Sequence, residues 1–272
     1  MALTKVTGGL LGNLPTGTHN VAVGDTALDS IASGAQYNVA IGSAAGTALT
    51  TGVRNTLVGG FSGDALTDAD FNTAMGYVSL GADTLGSKST AIGWATLATQ
   101  NFTSATDSFN TAVGYGAGAA VTTGTGHTLI GALAGDALTT ATFNTAVGYG
   151  ALSADTIGNK STAIGYAALF NQNYTTATDA YNTAVGFHSG VSVTTGIQNT
   201  IMGGISGDAI TTGANNTAIG YASLSATTTA ANNTAVGHKA LLANTTGAEN
   251  TVVGAAAGDA LTTGLRNVVM GY

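Results

Sequence analysis

Hydrophobic and polar positions along the chain follow one recurring phrase, shown by "NTAVGYGAL" at 144–152 and repeated as "NTAMGYVSL" at 72–80, "NTAIGYASL" at 216–224 and "NTAVGHKAL" at 233–241. Each copy runs polar, β-branched, usually small, bulky apolar, glycine, and then often an aromatic. Aligned on that glycine there are fifteen copies, from Gly24 to Gly271, and twelve of the fourteen intervals are seventeen or eighteen positions long, as from Gly59 to Gly76 and from Gly24 to Gly42. An interval of that length holds two short strands and two tight turns, with no room for a useful helix, and β-branched residues and turn formers dominate the unit. The period therefore predicts an all-β chain: a parallel β-solenoid of about fifteen 17-residue coils, each coil pairing with its neighbours because none can bury a face alone.

The columns of the alignment assign places within a coil. The bulky residue before the glycine (Val23, Ile41, Val58, Met75 and their equivalents) reads as the core, and the threonine two positions earlier as half-buried strand. The leading asparagine, replaced only by Ser89, Ser161 and His127, reads as a turn residue hydrogen-bonding from coil to coil. Two exchanges of volume point to close packing. Ala74, Ala91 and Ala184 accompany the large Tyr77, Trp94 and Phe187, whereas Leu57, Leu129 and Ile201 accompany Gly60, Ala132 and Gly204. These pairs read as sharing one slot, with the intervening glycine bending the chain. Likewise some coils carry leucine four residues after the glycine, and others glycine there with an aliphatic residue three further on, as in Gly63 with Leu66.

Composition narrows the function. Apolar residues make up 44% and charged residues 7%, so the chain buries enough surface to fold and is unlike a disordered segment. The net charge of −7, without a basic cluster, argues against nucleic-acid binding. No cysteine is present, which excludes disulfides and thiolate metal sites. The start shows no secretory signal, and no apolar stretch reaches membrane-spanning length, so membrane insertion is not expected. Catalysis is not expected either: there is one glutamate, Glu249, and the aspartates lie at turns rather than in the paired arrangement of glycoside hydrolysis. No cofactor is implied. His19, His127, His188 and His238 are isolated in sequence and form no metal set. Asp64, Asp136, Asp208 and Asp259 recur at equivalent "GDAL" or "GDAI" positions three or four coils apart, too far for an ion to bridge, and read as turn residues.

The two long intervals, Gly93 to Gly114 and Gly165 to Gly186, are each lengthened by four positions and contain "NFTSATDSF" at 101–109 and "NYTTATDAY" at 173–181. Each inserts aromatics and an aspartate where a plain coil turns. The candidate binding residues are Phe102, Asp107, Phe109, Tyr174, Asp179 and Tyr181, offering stacking faces and acceptors to a surface sugar. The competing reading is that these aromatics fold back and pack.

The "NTAVG" and "STAIG" phrases resemble the head repeats of trimeric autotransporter adhesins, and the longer "NTAVGYGALSADTIGNKSTAIGY" units resemble repeats of bacteriophage tail fibres and tailspikes. The likeness covers Asn20 to Tyr272. It implies a left-handed β-roll assembled as a homotrimeric rod. The opening "ALTKVTGGLL" and "GNLPTG" are similar to leaders of phage fibres, so residues 1–16 are expected to attach to a tail or baseplate protein and residues 17–272 to form the shaft. The chain stops in mid-pattern at "NVVMGY", and that end is expected to be covered by trimerisation, another domain or a segment removed in maturation. The function expected is a structural, non-enzymatic tail fibre in the virion, made in the host cytoplasm, recognising a host-surface glycan or outer-membrane receptor. The alternatives are a bacterial cell-surface adhesin head and, from the threonine column, an ice-binding solenoid.

Overall fold

A computed structural model describes residues 19–272. The expected attachment segment, 1–16, lies outside them. The described chain is all-β, a parallel β-solenoid of about fifteen turns with one phrase to a turn, without a helix. It divides into two compact units between His127 and Thr128.

In the first unit, the three-residue strands Val21–Val23, Val39–Ile41, Thr56–Val58, Thr73–Met75, Thr90–Ile92 and Thr111–Val113 pair in parallel. Register is direct, column on column, as in Thr56 opposite Thr73 and Val58 opposite Met75. The second unit repeats this through nine strands, from Thr128–Ile130 to Val268–Met270. Each unit also has one extra two-residue ladder: Gly86–Ser87 with Thr106–Asp107, and Gly158–Asn159 with Thr178–Asp179.

The phrase glycine closes the strands that have a following coil because nothing larger fits. At Gly93, φ is +138°, and a Cβ there would lie 2.4 Å from the Gly114 carbonyl oxygen of the next coil. The asparagine column is the expected ladder, fully buried in most coils: the Asn55 N–H donates to Asn38 Oδ1 at 2.9 Å, and the Asn72 N–H to Asn55 Oδ1 at 2.9 Å.

The core corrects the sequence reading. A three-residue strand points out, in, out, and here the inward residue is the middle one: Ala40, Leu57, Ala74, Ala91, Leu129 and Ile201 are all fully buried. The bulky column expected inside faces outward, with Ile41, Met75, Ile130, Ile164 and Met202 each about 40% exposed. The threonines beside it are half-buried, as expected. The shared slot proposed for Ala74 with Tyr77 is also absent, since Ala74 is inside while Tyr77 is half exposed on the outer face.

The real compensation lies within the coil and across its seam, where Gly46 and Gly190 leave room for Leu57 and Ile201 of the following coil, whose side chains a Cβ would meet at 2.7 and 2.8 Å. Where the inward strand residue is Leu57, position 63 is glycine, and a Cβ there would meet Leu57 Cδ2 at 2.8 Å. Where it is Ala74, Leu80 fills the space and is fully buried. Leu80 holds φ +54°, a left-handed backbone that disfavours leucine by about 1–2 kcal/mol. Full burial of its side chain contributes about 1.5–3 kcal/mol, enough to hold it there.

Candidate functional site

Coils that place leucine at this left-handed position leave the core position three residues on free for a polar side chain. There the chain puts Asp83 and Gln100 on successive coils, and Asp155 and Gln172 at the matching places four phrases later, all fully buried. Gln100 donates its amide to the Asp83 carboxylate at 2.6 Å and to the Ser89 hydroxyl at 2.8 Å, and accepts from Asn110 at 2.9 Å. Asp83 also accepts the N–H groups of Gly86 at 3.0 Å and Phe102 at 3.2 Å. Burial pushes the Asp83 carboxyl above its ordinary value, outweighing the hydrogen bonds that favour the anion. Ser89 stands in the asparagine column because the Gln100 amide needs its hydroxyl.

This network anchors the four extra residues of the long coil. Phe102, tied through its N–H to Asp83, is only 5% exposed, and its ring packs where a side chain on Gly86 would stand, 2.7 Å from a Cβ there. Beyond it Thr106–Asp107 adds a strand to Gly86–Ser87, which aims Asp107 and Phe109 outward. Lys88 Nζ lies 2.5 Å from Asp107 and 5.2 Å from the centroid of the Phe109 ring.

The second bulge repeats the geometry. Gln172 donates to Asp155 at 2.6 Å and to Ser161 at 2.9 Å, and the Gly158 N–H donates to Asp155 at 2.9 Å. Tyr174 is 5% exposed, and its hydroxyl donates to the Gly196 carbonyl at 2.8 Å. Burial raises the pKa of that hydroxyl and of Asp155. Outside, Lys160 lies 2.5 Å from Asp179, with the Tyr181 hydroxyl accepting from it at 3.2 Å. The hydrogen bond with its partner raises the Lys160 ammonium and lowers the Asp179 carboxyl.

Of the six sequence candidates, the structure brings Asp107 with Phe109, and Asp179 with Tyr181, to exposed tips. It places Phe102 and Tyr174 inside as packing, the competing reading for those two rings. Sequence reasoning missed Lys88 and Lys160. Both were findable, because each sits two residues before its strand, in the same column as Phe109 and Tyr181, and so next to them in the stack. An exposed ring beside a cation and a carboxylate can stack on the apolar face of a pyranose while the charged groups hydrogen-bond its hydroxyls.

Several of the remaining acids have local partners. Asp136 accepts from the Ser153 hydroxyl at 2.5 Å, and Asp208 from that of Ser225. Among the described residues no group of three or more His, Asp or Glu side chains could hold a metal, and no helix is long and apolar enough to cross a membrane. No protein-family model, curated protein or solved structure matches the chain.

Proposed function

We propose that the chain is the shaft of a homotrimeric adhesive fibre, a left-handed β-roll on a bacteriophage tail, that meets a host-surface glycan through its side bulges without catalysis. The observation that carries this reading is the outward apolar column. In each unit the strands present Val, Ile and Met in register on an outer sheet face, next to threonine, with no charged residue in either column. Such a face without lysine or glutamate guards is normally covered. A second and third copy suit it, because within each unit identical columns repeat coil by coil and can match their copies around a threefold axis. The phage assignment rests on the resemblance of the phrases to tail-fibre repeats, and three linked chains would turn weak sugar contacts into firm attachment.

The solution mass of the purified chain tests this. Three times the chain mass is expected, falling to the monomer's in Ile164→Lys, which puts a charge into the apolar column, but not in Thr229→Lys on an exposed turn. A well-folded wild-type monomer would overturn the trimer.

One observation favours a second reading, ice binding. Thr183, Thr200, Thr217, Thr234 and Thr251 lie in direct parallel register, half-buried to exposed. A monomer showing thermal hysteresis would favour it over the fibre.

A further inference from the structure

In the first unit the column two residues before each strand carries His19, Tyr37, Arg54, Phe71, Lys88 and Phe109. All six have left-handed backbones, with φ between +51° and +63°. That conformation suits asparagine and strains bulky residues. The same column in the second unit includes Asn215 and Asn232, with φ +58° and +61°, so the coil has no need of a ring or a long cation there.

In the first unit, rings and cations nevertheless alternate. The Arg54 guanidinium lies 5.8 Å from the Tyr37 ring and 5.3 Å from the Phe71 ring, and Lys88 lies 5.2 Å from the Phe109 ring. Tyr37, Phe71 and Phe109 are each about half exposed, between 46% and 61%. Lys88 is paired with Asp107, whereas Arg54 belongs to no ion pair among the described residues. A bare guanidinium held between two exposed rings is a ready partner for a carboxylate.

We infer that the ridge Tyr37–Arg54–Phe71–Lys88–Phe109 binds an extended anionic polysaccharide, its rings taking the faces of alternate sugars and the unpaired Arg54 guanidinium a carboxylate between them. The rings recur on every second coil, about 10 Å apart at the ladder spacing. That matches the advance of an extended disaccharide, and a polymer alternating a uronic acid with a neutral sugar offers one carboxylate per such step. A nucleic acid fits less well, since a dense row of phosphates would meet two cations on a chain of net charge −7. The inference deepens the glycan-binding part of the proposed function and names its ligand class.

Affinity electrophoresis of the full chain through gels holding hyaluronan, unsulfated chondroitin or heparosan, each alternating a uronic acid with a neutral sugar, with dextran and oligothymidine as controls, tests the ridge. Retardation by at least one uronic-acid polymer and not by dextran is expected. It should weaken about tenfold in Arg54→Asn, the loss of one charge-assisted contact, and in Phe71→Asn. Both variants borrow the residue that the same corner carries at Asn215 and Asn232, so folding is kept. Failure of all three acidic polymers to retard the wild type, indifference to both substitutions, or equal retardation by oligothymidine would each overturn the ridge. The mass measurement separates the two readings. A trimer that binds cells but no acidic polymer loses the ridge and keeps the fibre, and a monomer retarded through Arg54 does the reverse.

Discussion

The bulges at 101–109 and 173–181 are one insertion made twice, and they differ in instructive places. Inside, both keep the same set: a buried aspartate, a glutamine from the next coil, a serine in the asparagine column and an asparagine that donates to the glutamine. At the tip Phe109 becomes Tyr181. Two interior positions also change, and neither touches the carboxylate's side-chain donor. The Ser108 hydroxyl that meets Ser89 at 2.6 Å is absent at Ala180, and Phe102 becomes Tyr174, whose added hydroxyl at once finds the Gly196 carbonyl. What stays constant is whatever satisfies a buried carboxylate. The tips keep their ion pair, Lys88 with Asp107 and Lys160 with Asp179, and change in the ring and in Ser104, which becomes Thr176.

The largest test of that comparison removes the amide. Gln100→Leu and Gln172→Leu each strand a buried carboxylate without its strongest donor, and each is expected to lower stability by about 3 kcal/mol in denaturant unfolding. Unequal losses would show that the two networks are not equivalent. Next, Tyr174→Phe should cost about 1 kcal/mol, since Gly196 keeps its bond from Asn182 at 2.7 Å. The converse Phe102→Tyr should be close to neutral, its hydroxyl reaching Gly124, which occupies the matching place and accepts from Asn110 at 2.8 Å.

A smaller effect is expected with pH. Burial raises Asp83 and Asp155 above 3.8, so the folded chain holds protons that the unfolded chain has released. Their contribution is fully present below pH 3.8 and is lost as pH rises through the folded values. Thermal midpoints of wild type minus Asp83→Asn should therefore decline over that window, and a rising difference would contradict the burial argument. The smallest effect belongs to Lys88→Met and Lys160→Met, whose exposed ion pairs are screened and should leave the thermal midpoint unchanged.

The repeat, the strand positions, the asparagine ladder and the sites of the two bulges were legible from spacing alone. The inward face was not. Bulk argued that the residue before the glycine was the core, yet a three-residue strand centred on the alanine sends both Thr73 and Met75 outward. The interior is filled from the turns instead, by leucines such as Leu80 in a backbone conformation that propensity argues against. The buried Asp83 and Gln100 were equally hidden, since nothing in the phrase marks position 83 as inward until Leu80 is known to occupy the neighbouring space. Lys88 and Lys160 were overlooked because single cations in a charge-poor chain read as solubilising residues. Their meaning comes from the column, which sets Lys88 against Phe109 and Lys160 against Tyr181, each on the next coil.

The direct column-on-column register also has a genetic consequence. Interior partners are matched across seams as well as within a coil, since Gly46 leaves room for Leu57 and Gly190 for Ile201 on the following coil, so unequal crossing-over keeps every seam compatible when it adds or deletes the four-phrase block. Natural alleles of this gene are expected to differ in length by the four-phrase block that separates Gly93 from Gly165, letting a lineage adjust reach and the number of ligand-facing corners while each glycine keeps its large neighbour on the next coil.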